Sequence, residues 1–422
     1  MFKSLLHRNF YKQEVILLLI GYLSLIISFI FGENSTGGAL IDYSNQKNIS
    51  QSFSNNFIET LLNYDNFSSR HSPSLIIILS FFEKINLPDS VIRIIHLHYC
   101  ILLPFFFYKC LKLKYKDVDY KLYFFLVLLI FLSPTFRTLA IWPDSRISGL
   151  IFFTVGIFFY YKFLNDKKFY YVFLNIFFIS ISAYFSPNFS VFSLFFFLKF
   201  ILIYNYEIKK IFLISCINLI FAFPAIYYIF FLDINFLAKS AAIGFDTNET
   251  LIFYNIFNDI LITFSMLFFY LIPFIFSKII ILPKYFTIKN LLITLIIFFI
   301  SIINFDYNIF YSGGGIFLKL SNFIFQNNYL FYLICLASLL LVLPLIYSKK
   351  LNILLLFLIL LNNPQYTMYH KYFDPFLLII FFTIFSLKIN FEKFKSSKNS
   401  LFVFFYFLTF LIISNFKYLW KI

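Results

Sequence analysis

Apolar runs about as long as a bilayer is thick recur along this chain, and they constrain its fold more than any other feature. A hydrocarbon core about 30 Å thick needs about 20 apolar residues in one helix. Runs such as Val15 to Phe31 meet that need. They come with charged residues at 13% and a mean hydropathy of +0.86, which a water-soluble domain does not carry. The expected fold is an all-α polytopic membrane protein with about thirteen transmembrane helices, read as one domain over residues 1–422.

The candidate spans are 14–32, 88–110, 121–140, 147–163, 169–185, 188–205, 210–232, 259–277, 289–304, 329–347, 351–362, 373–388 and 400–417. The run at 351–362 is short for a crossing. "GENSTGG" follows the first run in place of a small-residue cleavage site, so that run reads as a helix that stays. Basic clusters fall on one side of this map: Lys3 with Arg8 and Lys12, "YKCLKLKYK", Lys167 with Lys168, Lys209 with Lys210, Lys349 with Lys350, and "KINFEKFKSSK". The positive-inside rule makes that side cytoplasmic. The other side receives a long loop, 33–87, and a late loop, 363–372. Within the first, "SPSLIIILSFFEKI" is too short to span and reads as an amphipathic helix in the interface. The net charge of +15 therefore serves topology, and nucleic acid is not an expected partner. Cys100, Cys110, Cys216 and Cys335 all fall in apolar runs, which suggests neither disulfides nor a Cys metal site. "SGGG" at 312–315 precedes no phosphate-loop Lys and reads as a flexible loop.

Only five of the 34 basic residues are Arg, and four of them, Arg70, Arg93, Arg137 and Arg146, fall in external loops or at external span ends. Positive charge there opposes the topology rule. A guanidinium grips phosphate or carboxylate oxygens in two places, which an ammonium cannot do. The plainer reading of Arg93 and Arg137 is snorkelling to headgroups.

These residues resemble a family, the GT-C glycosyltransferases, which include lipid A aminoarabinose transferases and protein O-mannosyltransferases. The resemblance rests on Asp42 in "ALIDYSNQ" soon after the first helix, on "RHSPSLIIILSFFEKINLPDSVIRI", on "SPTFRTLAIWPDSR", and on "HKYFDPFLLI" late in the chain. It covers roughly residues 1–210 and 365–390. The family's acidic pair is here Asp42 followed by Tyr43, and Lys371 stands where Arg is common. The resemblance implies an inverting transferase in the bacterial inner membrane. Its donor would be a polyprenyl-phosphate sugar, and a lipid, glycan or protein would accept the sugar on the external face. An envelope polysaccharide polymerase or ligase is the alternative, and a lipid-linked glycan flippase a weaker one, since only Lys199 falls well inside a span.

Such a transfer needs a base near the acceptor and cations near the leaving phosphate. Asp42 is the candidate base, with a solvated carboxylate or helix cap as its bland reading. Arg70, His71, Arg93, Arg137, Arg146, His370 and Lys371 are candidate phosphate partners. Asp144 joins them as a substrate-binding candidate, although "WPDS" equally suits a turn and a helix N-cap. Pro375 is expected to open a helix, which puts His370 and Lys371 at its external mouth and lets Lys371 reach the donor phosphate with Arg137 or Arg146. An interfacial Lys and Tyr anchoring that span is the plainer account. No cofactor is required. The acids Glu33, Asp65, Asp246, Glu249 and Asp306 are oxygen donors open to a divalent cation, with no diagnostic spacing. His96 and His98 point to different helix faces and suit packing better than metal binding.

Overall fold

The computed structural model describes residues 2–67, 69, 71–116, 118–234, 255–282, 288–307, 313–347, 349–363 and 367–419. The chain is about 80% helical, and no strand occurs among the described residues. It divides into two compact units, Met1–Thr247 with Phe404–Ile422, and Asn248–Val403.

The first unit contains α1 (Phe2–Ile30), α2 (Ala39–Asn55), α3 (Phe57–Leu62), α4 (Pro73–Lys84), α5 (Asp89–Cys100), α6 (Leu102–Lys114), α7 (Tyr120–Phe131), α8 (Pro134–Ile141), α9 (Ser145–Asp166), α10 (Phe169–Phe185), α11 (Ser193–Ile203) and α12 (Ile208–Ile226). The second contains α13 (Ile256–Phe276), α14 (Ile288–Ile303), α15 (Gly315–Phe325), α16 (Tyr329–Tyr347), α17 (Lys350–Leu361), α18 (Phe376–Phe382) and α19 (Phe391–Lys395). Helix α20 (Ser397–Leu419) begins in the second unit and ends in the first.

Five stretches are long and apolar enough to cross a membrane: Asp89–Lys114, Ser145–Asp166, Ile208–Phe231, Ile256–Phe276 and Ser397–Phe416. A bent pair, Lys121–Phe131 with Pro134–Ile141, makes a sixth if taken as one span. The chain is thus a multi-pass membrane protein by the length and composition of its helices.

Several expected spans take a different form. The run 121–140 breaks by 63°. Ser133 causes the break by capping α8, accepting from Phe136 N at 2.9 Å, while Pro134 at the first helical position has no N–H to continue the α7 ladder. The run 373–388 holds only the seven residues of α18, all buried and only about 10 Å long at 1.5 Å per residue, too short to cross alone. Pro375 does immediately precede that helix. At 351–362, α17 has twelve residues, about 18 Å, again short of the hydrocarbon core.

The polar stretch after α1 is not an open loop. Its residues fold into α2, α3 and a 3-10 turn at Tyr64–Phe67. Ala39, Tyr43, Gln46, Ile49, Ser50 and Phe53 recur at helical spacing and form the buried face of α2. That face packs on α4, the expected short amphipathic helix. Ser72 caps α4, Pro73 opens it, and Leu75, Ile76 and Leu79 point inward.

Helix α9 carries much of the later site and is fixed by close approach to α10. A Cβ at Gly149 would stand 2.7 Å from Ser186 Cβ, and one at Gly156 2.6 Å from Ile179 Cδ1. The contact exposes two α9 carbonyls to α10, where Ser182 Oγ donates to Gly149 O and Asn175 Nδ2 to Gly156 O, each at 2.7 Å.

In the second unit the glycine run expected to be flexible is a built turn. Gly313, Gly314 and Gly315 have φ of 89°, 75° and 77°, which favours glycine. A Cβ at Gly313 would meet Tyr307 Oη at 2.5 Å and Met368 O at 2.8 Å, and Gly314 N donates to Met368 O at 2.9 Å. Ser312 lies outside the described residues.

Candidate functional site

The turn between α8 and α9, Trp142 to Arg146, brings together His71, Arg93, Asp144 and Arg146. Asp144 sits at its centre, 3% exposed, and caps α9 by accepting from Arg146 N at 2.7 Å. Its carboxylate therefore holds the helix start, the second of the two readings its sequence context allowed. Ser145 Oγ meets His71 Nδ1 at 3.3 Å. Arg146 is half-buried, with Cζ 5.8 Å from the centre of the Phe189 ring.

Arg93 reaches the same turn from α5. Its guanidinium lies 3.6 Å from the Trp142 ring centre and 5.0 Å from that of Phe29, a cation–π arrangement that fixes its plane. Nε donates to Ile141 O at 3.1 Å. Nη2 is buried and has no hydrogen-bond partner among the described residues. Such a charged donor is costly to leave unmet.

Asp42 lies in the first turn of α2 and is half-buried. Its neighbour Tyr43 ties it to this corner: the phenol ring is 6.1 Å from Trp142, and Oη donates to Asp89 Oδ1 at 2.6 Å, one helical turn before Arg93. Burial first, then the hydrogen bond to Asp89 and its charge, push the phenol well above its ordinary value. Tyr43 thus stays protonated and serves as a donor. Lys47, a turn further along α2, binds the same Asp89 oxygen at 3.0 Å and lies 3.8 Å from Glu83. Helix α2 is thereby pinned across the α4–α5 junction by charge as well as by apolar packing.

Arg137 has a different task. It is 5% exposed, and all five of its N–H donors are used. Nε donates to Glu33 Oε2 at 2.9 Å. Nη1 donates to Ser24 Oγ at 2.9 Å and Phe131 O at 3.3 Å. Nη2 donates to Ser24 O at 3.2 Å and to Ser28 Oγ. Glu33 in turn accepts from Ser35 Oγ at 3.1 Å and Asn415 Nδ2 at 3.3 Å, and its backbone carbonyl from Trp142 Nε1 at 3.0 Å. With no donor left over, Arg137 joins α1 to the broken α7–α8 span, and neither a phosphate nor a lipid headgroup is its partner.

Arg70 lies outside the described residues. His96 is buried and bonds Leu139 O at 3.0 Å, whereas His98 meets Tyr22 Oη at 2.8 Å, so both serve packing. Among the described residues no three His, Cys, Asp or Glu come together as a metal group.

Comparison with protein-family models, with curated proteins and with solved structures finds no match. The residues themselves carry the functional argument.

His370 and Lys371 belong to the second unit. His370 Nε2 shares a hydrogen bond of 2.9 Å with Tyr270 Oη, with Phe269 edge-on at 5.3 Å. Enclosure of the ring, and secondarily Lys319, push it down to about 3, so it is neutral at physiological pH. A neutral imidazole is not a phosphate cation. Lys371 Nζ lies 5.6 Å from the Tyr369 ring centre.

Sequence reasoning passed over three contributors. Trp142 is the platform for Arg93, Tyr43 is the donor to Asp89, and Glu33 is the counter-ion of Arg137. The Trp142 signal was available, since one of only two Trp, set beside Pro-Asp in so Phe-rich a chain, marks a position where an indole has a specific use.

Proposed function

We propose that this chain is an inverting membrane glycosyltransferase that moves a sugar from a polyprenyl-phosphate donor to a lipid, glycan or protein acceptor at the external face of a bacterial inner membrane. The observation that supports it most is Arg93, a guanidinium clamped on Trp142 with a buried Nη2 that finds no partner among the described residues. Planar donors held in place before the ligand arrives suit phosphate oxygens as negative charge builds on the leaving group. His71 and Arg146 meet at the same turn and supply the further donors. Asp42 acts as the base, taking the acceptor hydroxyl proton as that oxygen attacks the anomeric carbon and the lipid phosphate departs. Asp144 and Arg137 hold the frame.

Purified protein in lipid, incubated with a panel of radiolabelled polyprenyl-phosphate sugars, is expected to consume at least one monosaccharide donor. Consumption of lipid-linked oligosaccharide alone would favour the polymerase or ligase reading, and no consumption of any donor would remove both.

In this reading the shorter apolar helices Val15–Ile30, Phe169–Phe185, Pro187–Ile203, Asn290–Ile303 and Tyr329–Leu345 also cross, which with α17 and α18 left out as too short makes about eleven crossings. Residues 33–72 are external, and 111–120 and 389–398 cytoplasmic. A thiol reagent that cannot enter cells is expected to label Asn48→Cys and to leave Lys116→Cys and Glu392→Cys untouched. Labelling of Lys116→Cys from outside would invert the map.

A further inference from the structure

We propose that the second unit holds an alkali-metal cation on α13, bound by the Asp259 carboxylate and the Thr263 hydroxyl. The two residues are four apart on one helix, which places their Cβ atoms about 5–6 Å apart on a shared face. The helix that carries them, Ile256–Phe276, is one of the five able to cross a membrane, and 78% of its apolar window is buried within the protein.

Asp259 is 5% exposed, and no hydrogen bond or ion pair reaches its side chain from any described residue. An ionised carboxylate out of water costs several kcal/mol unless something compensates it. Thr263 is an independent sign that a ligand sits there. A helical threonine commonly returns its hydroxyl to the carbonyl one turn back. Thr138, Thr154, Thr294 and Thr383 all do so, onto Pro134, Leu150, Asn290 and Ile379. Thr263 is fully buried, yet its Oγ1 has no partner among the described residues, not even the carbonyl of Asp259. Its hydroxyl makes no bond to the helix backbone and is left to accept or donate elsewhere.

Charge selects the ligand. One carboxylate and one neutral hydroxyl are balanced by a single positive charge, whereas a divalent ion would leave a buried excess. Both donors are hard oxygens, the type that alkali and alkaline-earth ions take and that softer metals do not favour. At the start of α13, Asp306 stands exposed, its Oδ1 held by Asn255 Nδ2 at 3.0 Å and Asn258 Nδ2 at 2.9 Å. That carboxylate puts negative charge at the solvent end of the same helix, where an incoming cation is favoured.

The full-length protein in lipid, tested with ²²Na⁺ and by thermal unfolding in sodium against choline chloride at equal ionic strength, is expected to bind sodium saturably. Its Tm should rise with sodium concentration, as it must for any ligand that binds only the folded state. Asp259→Asn should abolish both effects without loss of folding, because it removes the buried charge. Thr263→Val should weaken binding, and Thr263→Ser should restore it. Absence of saturable binding of Na⁺, with K⁺ and Li⁺ competitors equally silent, would leave Asp259 protonated or bridged to Thr263 by water and overturn the proposal. So would binding that survives in Asp259→Asn.

Discussion

Asp42→Asn is expected to lower the rate of sugar transfer about 100- to 10,000-fold, the usual cost of losing a general base. Expression and donor binding should change little. The amide has nearly the shape of the carboxylate and sits in the first turn of a helix whose buried face, Tyr43, Gln46, Ser50 and Phe53, is untouched. The Lys47–Asp89 pair that pins the helix also remains. Turnover assays with a labelled donor, alongside donor-binding measurements on the same preparation, separate the two quantities. A rate within a few-fold of wild type would rule Asp42 out as the base. Equal losses of binding and turnover would instead make it a binding residue.

Removing Glu33 should be the most damaging single change to stability in the first unit. Glu33→Ala leaves the Arg137 guanidinium buried, at 6% side-chain exposure, without its counter-ion. Breaking a buried pair from one side costs about 3–5 kcal/mol, because a charge stays behind uncompensated. Arg137→Met should be similarly harmful, stranding Glu33 with the donors Ser35 and Asn415 but no cation. The double change Glu33→Met with Arg137→Met should recover much of the loss, since apolar replacement of a whole buried pair is often neutral. Denaturation in detergent across the four proteins gives the coupling energy directly. If the single variants unfold within about 0.5 kcal/mol of wild type, the typical scale of a surface substitution, the pair is not the brace described above.

The two expectations show which parts of this protein can be read from its residues and which cannot. Long apolar runs were legible because a helix in lipid must satisfy its own backbone, and six of the expected crossings recur as helices or helix pairs long enough to span. The α2 helix was hidden by composition. Asn, Ser and Gln between 44 and 56 are indifferent helix formers, so the stretch read as a loop even though its buried positions keep a helical period. That the arginines were few, and that four of the five lay apart from the basic clusters, was visible as well. Their individual roles were not. Arg137 and Arg93 look alike in sequence, and what separates them is that Arg137 pairs with Glu33, 104 residues earlier in the chain, while the carboxylate near Arg93 is Asp89, one turn away on its own helix, and Nη2 makes no hydrogen bond among the described residues. Pairings of that separation leave no local trace. Asp144 was divided evenly between two roles, and geometry resolved it because a capping oxygen must reach an amide two residues on.

The same 104-residue separation bears on how the protein is made. An arginine entering hydrocarbon alone is expensive, and it is tolerated where a partner is already waiting. Ribosomal synthesis delivers Glu33, with Ser24 and Ser28 of α1, long before Arg137 emerges at the kink between α7 and α8. The acid and its two hydroxyls are therefore in place when the base arrives. The bent segment thus meets its counter-ion on a helix that precedes it in the chain, and the acid is always made before the base it holds.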